Sequence, residues 1–149
     1  MFVYDSSGSV TSPNFDKMRA LGKSIIGRMQ MGDDAIRAGI VTFANSPVLQ
    51  QGLTSSGATL NSTFTNMGYS GGGTGLLSGL RVAMNEIATN GRTDAAKVIY
   101  VLTDGLANAR KYYSIENPMT LFSLLMFSMS NLVEYYTKYL QILHPTNGH

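Results

Sequence analysis

Two apolar runs, each broken at an aspartate, constrain this chain more than any other feature. Phe2-Val3-Tyr4 gives way to Asp5-Ser6-Ser7-Gly8-Ser9, and Val98-Ile99-Tyr100-Val101-Leu102 ends in Thr103-Asp104-Gly105. Short apolar runs bounded by turn residues read as buried strands that open into loops. Between them lie helical signals. Ser12-Pro13 predicts a helix start, with Ser as N-cap and Pro at the first helical position. Phe15, Met18, Gly22, Ile25 and Met29 follow at helical spacing, so this helix is expected to end near Met31-Gly32. Residues 35–43, with Ile36, Ile40, Val41 and Phe43, read as a second buried strand. Asn45-Ser46-Pro47 reads as a turn and residues 48–50 as a short edge strand. Residues 57–66 suggest a helical turn or two. The loop Tyr69-Ser70-Gly71-Gly72-Gly73-Thr74-Gly75 opens a further helix lined by Leu77, Leu80, Met84 and Ile87.

Strand and helix alternating in this way predict an α/β fold: a doubly wound, mainly parallel sheet flanked by helices. Open sheets of that kind bind ligands outside the carboxyl ends of their strands. Asp5 and Asp104 stand at two such ends. Ser7, Ser9 and Thr74 belong to loops at the same edge.

Composition narrows the function without naming it. A chain of 149 residues fits one domain with a real core, and 44% apolar residues argue against global disorder. Eleven basic and nine acidic residues leave a charge of +2 with no Lys/Arg-rich run. That predicts neither a nucleic-acid groove nor an anionic membrane surface. The absence of cysteine excludes disulfides, thiolate metal sites and cysteine nucleophiles. Met1 runs straight into Phe2-Val3-Tyr4-Asp5: taken literally, the chain is not expected to be secreted through a leader, and taken as a fragment, its upstream sequence could carry a signal.

Asp5-x-Ser7-x-Ser9 is the strongest local signal. Carboxylate, hydroxyl and hydroxyl at alternate positions bring three oxygens to one side of an extended turn. Mg²⁺ takes oxygen ligands at about 2.0–2.1 Å in an octahedron and keeps several waters. Thr74 adds a hydroxyl and Asp104 a second acid, a set with few carboxylates that leaves a cation electrophilic. Each piece also has a plainer explanation. The first loop alone reads as a capped turn, and Thr103-Asp104-Gly105 as an ordinary turn. The triple glycine reads as a flexible loop or phosphate cradle, although the Gly-Lys-Ser/Thr ending of a P-loop is missing. Met18, Met29 and Met84 read as core filler. His144 and His149 read as solvated ends.

Taken in order, Phe-Val-Tyr-Asp-Ser-Ser-Gly-Ser-Val, Gly-Gly-Gly-Thr-Gly and Val-Ile-Tyr-Val-Leu-Thr-Asp-Gly resemble the von Willebrand factor type A family. Gly39-Ile40-Val41-Thr42-Phe43-Ala44 is similar to that family's second strand. The likeness is nearest to collagen-, matrilin- and integrin-type members and spans residues 1–108. It implies a Rossmann-like fold and a metal-ion-dependent adhesion site holding Mg²⁺ or Mn²⁺. By that resemblance Ser7, Ser9 and Thr74 would touch the metal. Asp5 and Asp104 would act mostly through bound water and by orienting the hydroxyls. The remaining position would go to an Asp or Glu of a protein partner, possibly a matrix protein outside the cell. A non-catalytic adhesion role is thus expected. The alternative is a structural or assembly domain, extracellular or intracellular, in which the metal only stabilises the loops.

Two departures from the family pattern matter. Leu76 stands where many members have a second Thr, and the likeness fades after Asn108. Residues 109–149 therefore read as a divergent tail, leaving the domain incomplete on its C-terminal side and the edge of strand 97–103 bare. An unrelated terminus, helices covering that edge, and an uncharged membrane-entering stretch at 117–133 are the three readings of this tail. The last sits at the lower length limit of a span. Asn61-Ser62-Thr63 matches the N-glycosylation acceptor pattern.

Overall fold

The computed structural model describes residues 1–104 in full and the backbone of Phe122–Ser128. In chain order the elements are β1 (Phe2–Asp5), α1 (Ser12–Ile26), β2 (Ala38–Phe43), β3 (Pro47–Thr54), α2 (Gly57–Asn66), α3 (Leu76–Asn90), β4 (Lys97–Thr103) and β5 (Phe122–Ser128). They form a five-stranded sheet in the order β3-β2-β1-β4-β5. β3 runs antiparallel to β2, and every other pairing is parallel.

Alternation along β1 divides the core. Phe2 and Tyr4 face α1 and α2, packing with Phe15, Met18, Leu60 and Phe64. Val3 faces the other way, joining Val41, Phe43, Leu76, Ala83 and Val101 against α3. With both faces covered, β1 and β2 are buried at every residue, as parallel strands flanked by helices must be. α1 leads from β1 outward to β2 on one face, whereas α3 lies on the opposite face before the chain returns to β4. The strand order therefore reverses between β1 and β4. This switch point, where open sheets of this kind bind ligands, lies at the strands' carboxyl ends, where Asp5 and Asp104 stand.

Several boundaries differ from the sequence expectations. α1 ends at Ile26, with Gly27 as its C-cap, short of Met31-Gly32. Met29 and Met31 still pack on the core from the following turns, so apolar periodicity outruns the helix. Ser12 is the first helical residue rather than the N-cap. That place goes to Thr11 at φ 64°, ψ 152°, and its side chain makes no capping bond. A β-branched residue at positive φ is strained by roughly 1–3 kcal/mol, and this strain lies two residues beyond Ser9. β2 begins at Ala38, while β3 is eight residues long and pairs with β2 from Pro47 to Thr54, with register shifts around Ile40. Residues 57–66 form a complete helix capped by Ser56, whose hydroxyl accepts the Thr59 N–H.

The edge of β4 is not bare. β5 pairs with it in parallel from Lys97↔Phe122 to Thr103↔Ser128, which removes the row of open backbone groups. A strand, not a covering helix, occupies 122–128. The remaining expectations for 109–149, His144 and His149 included, fall outside the described residues. Among the described residues no helix is long and apolar enough to cross a membrane.

Tyr4 is fully buried beneath α1, and its hydroxyl has no partner among the described residues. Burial pushes the phenol well above its usual range. The Tyr4→Phe variant is therefore expected to be more stable by about 1 kcal/mol, because an unsatisfied buried hydroxyl carries a desolvation cost. Urea unfolding of the two proteins checks this; a less stable variant would mean that the hydroxyl is satisfied.

Candidate functional site

The first loop begins inside the core. Asp5, Ser6 and Ser7 are each completely buried, so their polar groups need internal partners. Asp5 Oδ1 accepts the Ser7 N–H at 2.9 Å, and Oδ2 accepts the Thr103 hydroxyl at 2.6 Å. The carboxylate of β1 is thereby clamped to the end of β4. From it runs a line of oxygens: Ser7 Oγ lies 3.2 Å from Ser9 Oγ, and Ser9 donates to Asp104 Oδ1 at 3.1 Å. Ser9 is exposed and Asp104 half-buried. The line therefore leads from the core to the surface.

The glycine loop is tied to the first loop by backbone and side chain. Ser6 Oγ accepts the Ser70 N–H at 2.7 Å, the Ser6 carbonyl accepts the Gly71 N–H at 2.9 Å, and Gly8 N–H donates to the Gly72 carbonyl at 2.8 Å. Tyr69 donates its hydroxyl towards the Ser7 and Gly8 carbonyls, at 3.1 and 3.3 Å. Asn45, just beyond β2, accepts the Gly73 N–H at 2.7 Å. Gly72 has φ 93°, and a Cβ there would lie 2.6 Å from Asn45 Nδ2. Glycine at this position both permits the left-handed turn and leaves room for Asn45. Thr74 stands exposed in this loop, immediately ahead of Gly75 and α3.

Of the five residues singled out from the sequence, Asp5, Ser7, Ser9 and Asp104 thus form one connected set. Thr74 is carried to the same edge by its loop. Four contributors were not singled out: Ser6, Asn45, Tyr69 and Thr103. Ser6 and Thr103 sat unused inside the quoted motifs. Asn45 and Tyr69 gave no local signal beyond turn formation and an aromatic beside the glycines.

The set is made of hydroxyl and carboxylate oxygens, donors of the kind a hard cation takes. Two carboxylates stand at this edge of the sheet: Asp5, fully buried and accepting from the Ser7 N–H and the Thr103 hydroxyl, and Asp104, half-buried and accepting from Ser9. The donor set fits a hard divalent ion. Neighbouring oxygens of an octahedron with bonds of 2.0–2.1 Å are about 2.9 Å apart, close to the 3.2 Å between Ser7 Oγ and Ser9 Oγ, and Asp104 is placed to orient the Ser9 hydroxyl. No three His, Cys, Asp or Glu side chains converge among the described residues, so hydroxyls must supply part of any such shell.

Comparison with known proteins adds an independent line. The sequence profile of the von Willebrand factor type A domain matches residues 1–123, reaching into β5 and beyond residue 108, where the likeness was read to fade. The mouse collagen alpha-4(VI) chain is 31% identical over 106 residues, covering 70% of this chain and 5% of the collagen. The human collagen alpha-6(VI) chain is 31% identical over 111 residues, 72% of this chain and 5% of its own length. This chain therefore spans about a twentieth of those relatives. Among solved structures, proximal thread matrix protein 1 from the mussel byssus, with a zinc-occupied MIDAS motif, aligns with a TM-score of 0.62 and 32% identity, over 70% of this chain and 28% of that one.

Proposed function

This chain belongs to the von Willebrand factor type A domain family, and from that premise we propose that it is a divalent-cation-dependent adhesion module for an acidic group on a matrix protein. The observation that carries the reading is the connected set that runs from buried Asp5, through the Ser7 N–H, to the Ser7 and Ser9 hydroxyls and Asp104. Ser7, Ser9 and Thr74 would hold Mg²⁺ or Mn²⁺. Asp5 and Asp104 would orient the hydroxyls and bound water and supply the balancing charge. When bound, the metal supplies an electrophilic centre that accepts a carboxylate from outside.

The chain's own part is positioning. Thr103 and the Ser7 N–H fix the Asp5 carboxylate, and the Ser6–Gly71 and Gly8–Gly72 bonds fix the distance between the two hydroxyl loops. A binding rather than catalytic role suits the site, because neither acid is left over as a general base. Kinship with collagen chains and a thread matrix protein favours a place outside the cell.

Retention of the chain on surface-coated matrix proteins tests the proposal. It should occur in Mg²⁺, disappear in EDTA, and disappear when the coated carboxylates are converted to amides. Retention that survives both treatments would contradict metal-mediated recognition of an acid. Asn45→Ala should keep the fold but weaken Mg²⁺ binding about tenfold, the lower end of what loss of a ligand-orienting partner costs. An unchanged affinity in calorimetry would remove Asn45 from the account.

A further inference from the structure

α2 is an unusual surface helix: Gly57–Asn66 reads Gly-Ala-Thr-Leu-Asn-Ser-Thr-Phe-Thr-Asn and carries no charge. Exposed helix faces usually owe their solvation to charged side chains. Thr, Asn and Ser are also weak helix formers, and here Thr63 and Thr65 spend their hydroxyls on the Thr59 and Asn61 carbonyls. Leu60 and Phe64 anchor the inner face in the core. The outer face therefore presents small, neutral, polar groups to water.

Asn61 is exposed on that outer face, followed by Ser62 and Thr63. Its side-chain amide makes no hydrogen bond among the described residues, unlike Asn45 (held to Gly73), Asn66 (to Ser62) and Asn90 (to Glu86), and of these asparagines it alone stands two positions before a hydroxyl residue. We propose that Asn61 is an N-glycosylation site and that the neutral face of α2 lies beneath the glycan. The acceptor pattern is complete: the middle residue is not Pro, and a hydroxyl residue stands two positions on. In the folded chain the attachment point breaks no contact. The glycan leaves from α2, on the α1–α2 side of the sheet, so it does not occlude α3 or the face it covers.

The inference rests on the extracellular part of the proposed function, and it is independent of the metal. Translation of the full chain behind an added signal peptide, with endoplasmic-reticulum microsomes present, tests it directly. A protease-protected product of lower mobility is expected, restored to faster migration by peptide-N-glycosidase. Asn61→Gln and Thr63→Ala should lack the shift, while Ser62→Ala keeps it. A protected wild-type chain that co-migrates with Asn61→Gln would overturn the proposal. The Mg²⁺ response of Asn61→Gln should equal that of the wild type, so failure of the glycan and failure of the metal site are separate results.

Discussion

Replacing Asp5 with Ala is expected to abolish the effect of Mg²⁺ on thermal unfolding. A cation that binds only the folded state stabilises it by about 2.7 kcal/mol at a hundred times its dissociation constant. For a domain of this size that corresponds to a rise of roughly 10 °C in Tm. Asp5 is the innermost acid of the set and receives both the Ser7 N–H and the Thr103 hydroxyl. Its loss removes the charge that attracts the ion and the anchor that shapes the turn. Without metal the variant's stability reflects two opposed terms. The Ser7 N–H and the Thr103 hydroxyl each lose the Asp5 carboxylate as acceptor, at about 1–3 kcal/mol each, while a buried charge is removed. Scanning calorimetry of both proteins, in EDTA and in saturating Mg²⁺, separates these effects. A variant that still gains stability from Mg²⁺ would move the binding site elsewhere.

Phe64→Ala should cost about 3–5 kcal/mol, the range for removing a buried aromatic ring. Phe64 is fully buried on α2. Its ring stands edge-on to Phe2 at 5.9 Å and to Tyr4 at 5.6 Å between centroids. It also borders Gly22 of α1, where an added Cβ would fall 2.7 Å from the ring. The ring thus locks α1, α2 and β1 together, and relaxation cannot easily fill the space it leaves. Against a typical total of roughly 5–15 kcal/mol, this loss brings the domain near its unfolding threshold. Urea titration measures it. A loss below about 1 kcal/mol would mean that the aromatic cluster is not the keystone of this face.

How far the sequence could be read follows from the range of the forces involved. β4 was legible to the residue, because a continuous apolar run ended by Asp-Gly has few alternatives. α3 was legible from the glycine loop and its apolar face. The end of α1 was not, since Met29 and Met31 keep the apolar rhythm while Gly27 ends the helix. β3 looked short because its length depends on pairing with β2, a non-local contact, and α2 looked weak because its residues are poor helix formers held by Leu60 and Phe64. β5 carries no signal that separates it from the rest of an apolar tail; its partner strand defines it.

The candidate site divides in the same way. Asp5, Ser7, Ser9 and Asp104 stood out because alternate oxygens in a turn, and an acid at a strand end, are local patterns. Asn45 and Tyr69 act across 28 and 62 positions of chain, and no local pattern records such contacts. Ser6 was hidden by its neighbours: it looked like a spacer, yet it is buried and bonds to Ser70 and Gly71.

Titration of the full chain with Mg²⁺ in a calorimeter tests the central claim most directly. The account predicts saturable binding of one ion per chain, absent in Asp5→Ala. A well-folded wild-type chain that takes up no Mg²⁺ or Mn²⁺ would contradict it.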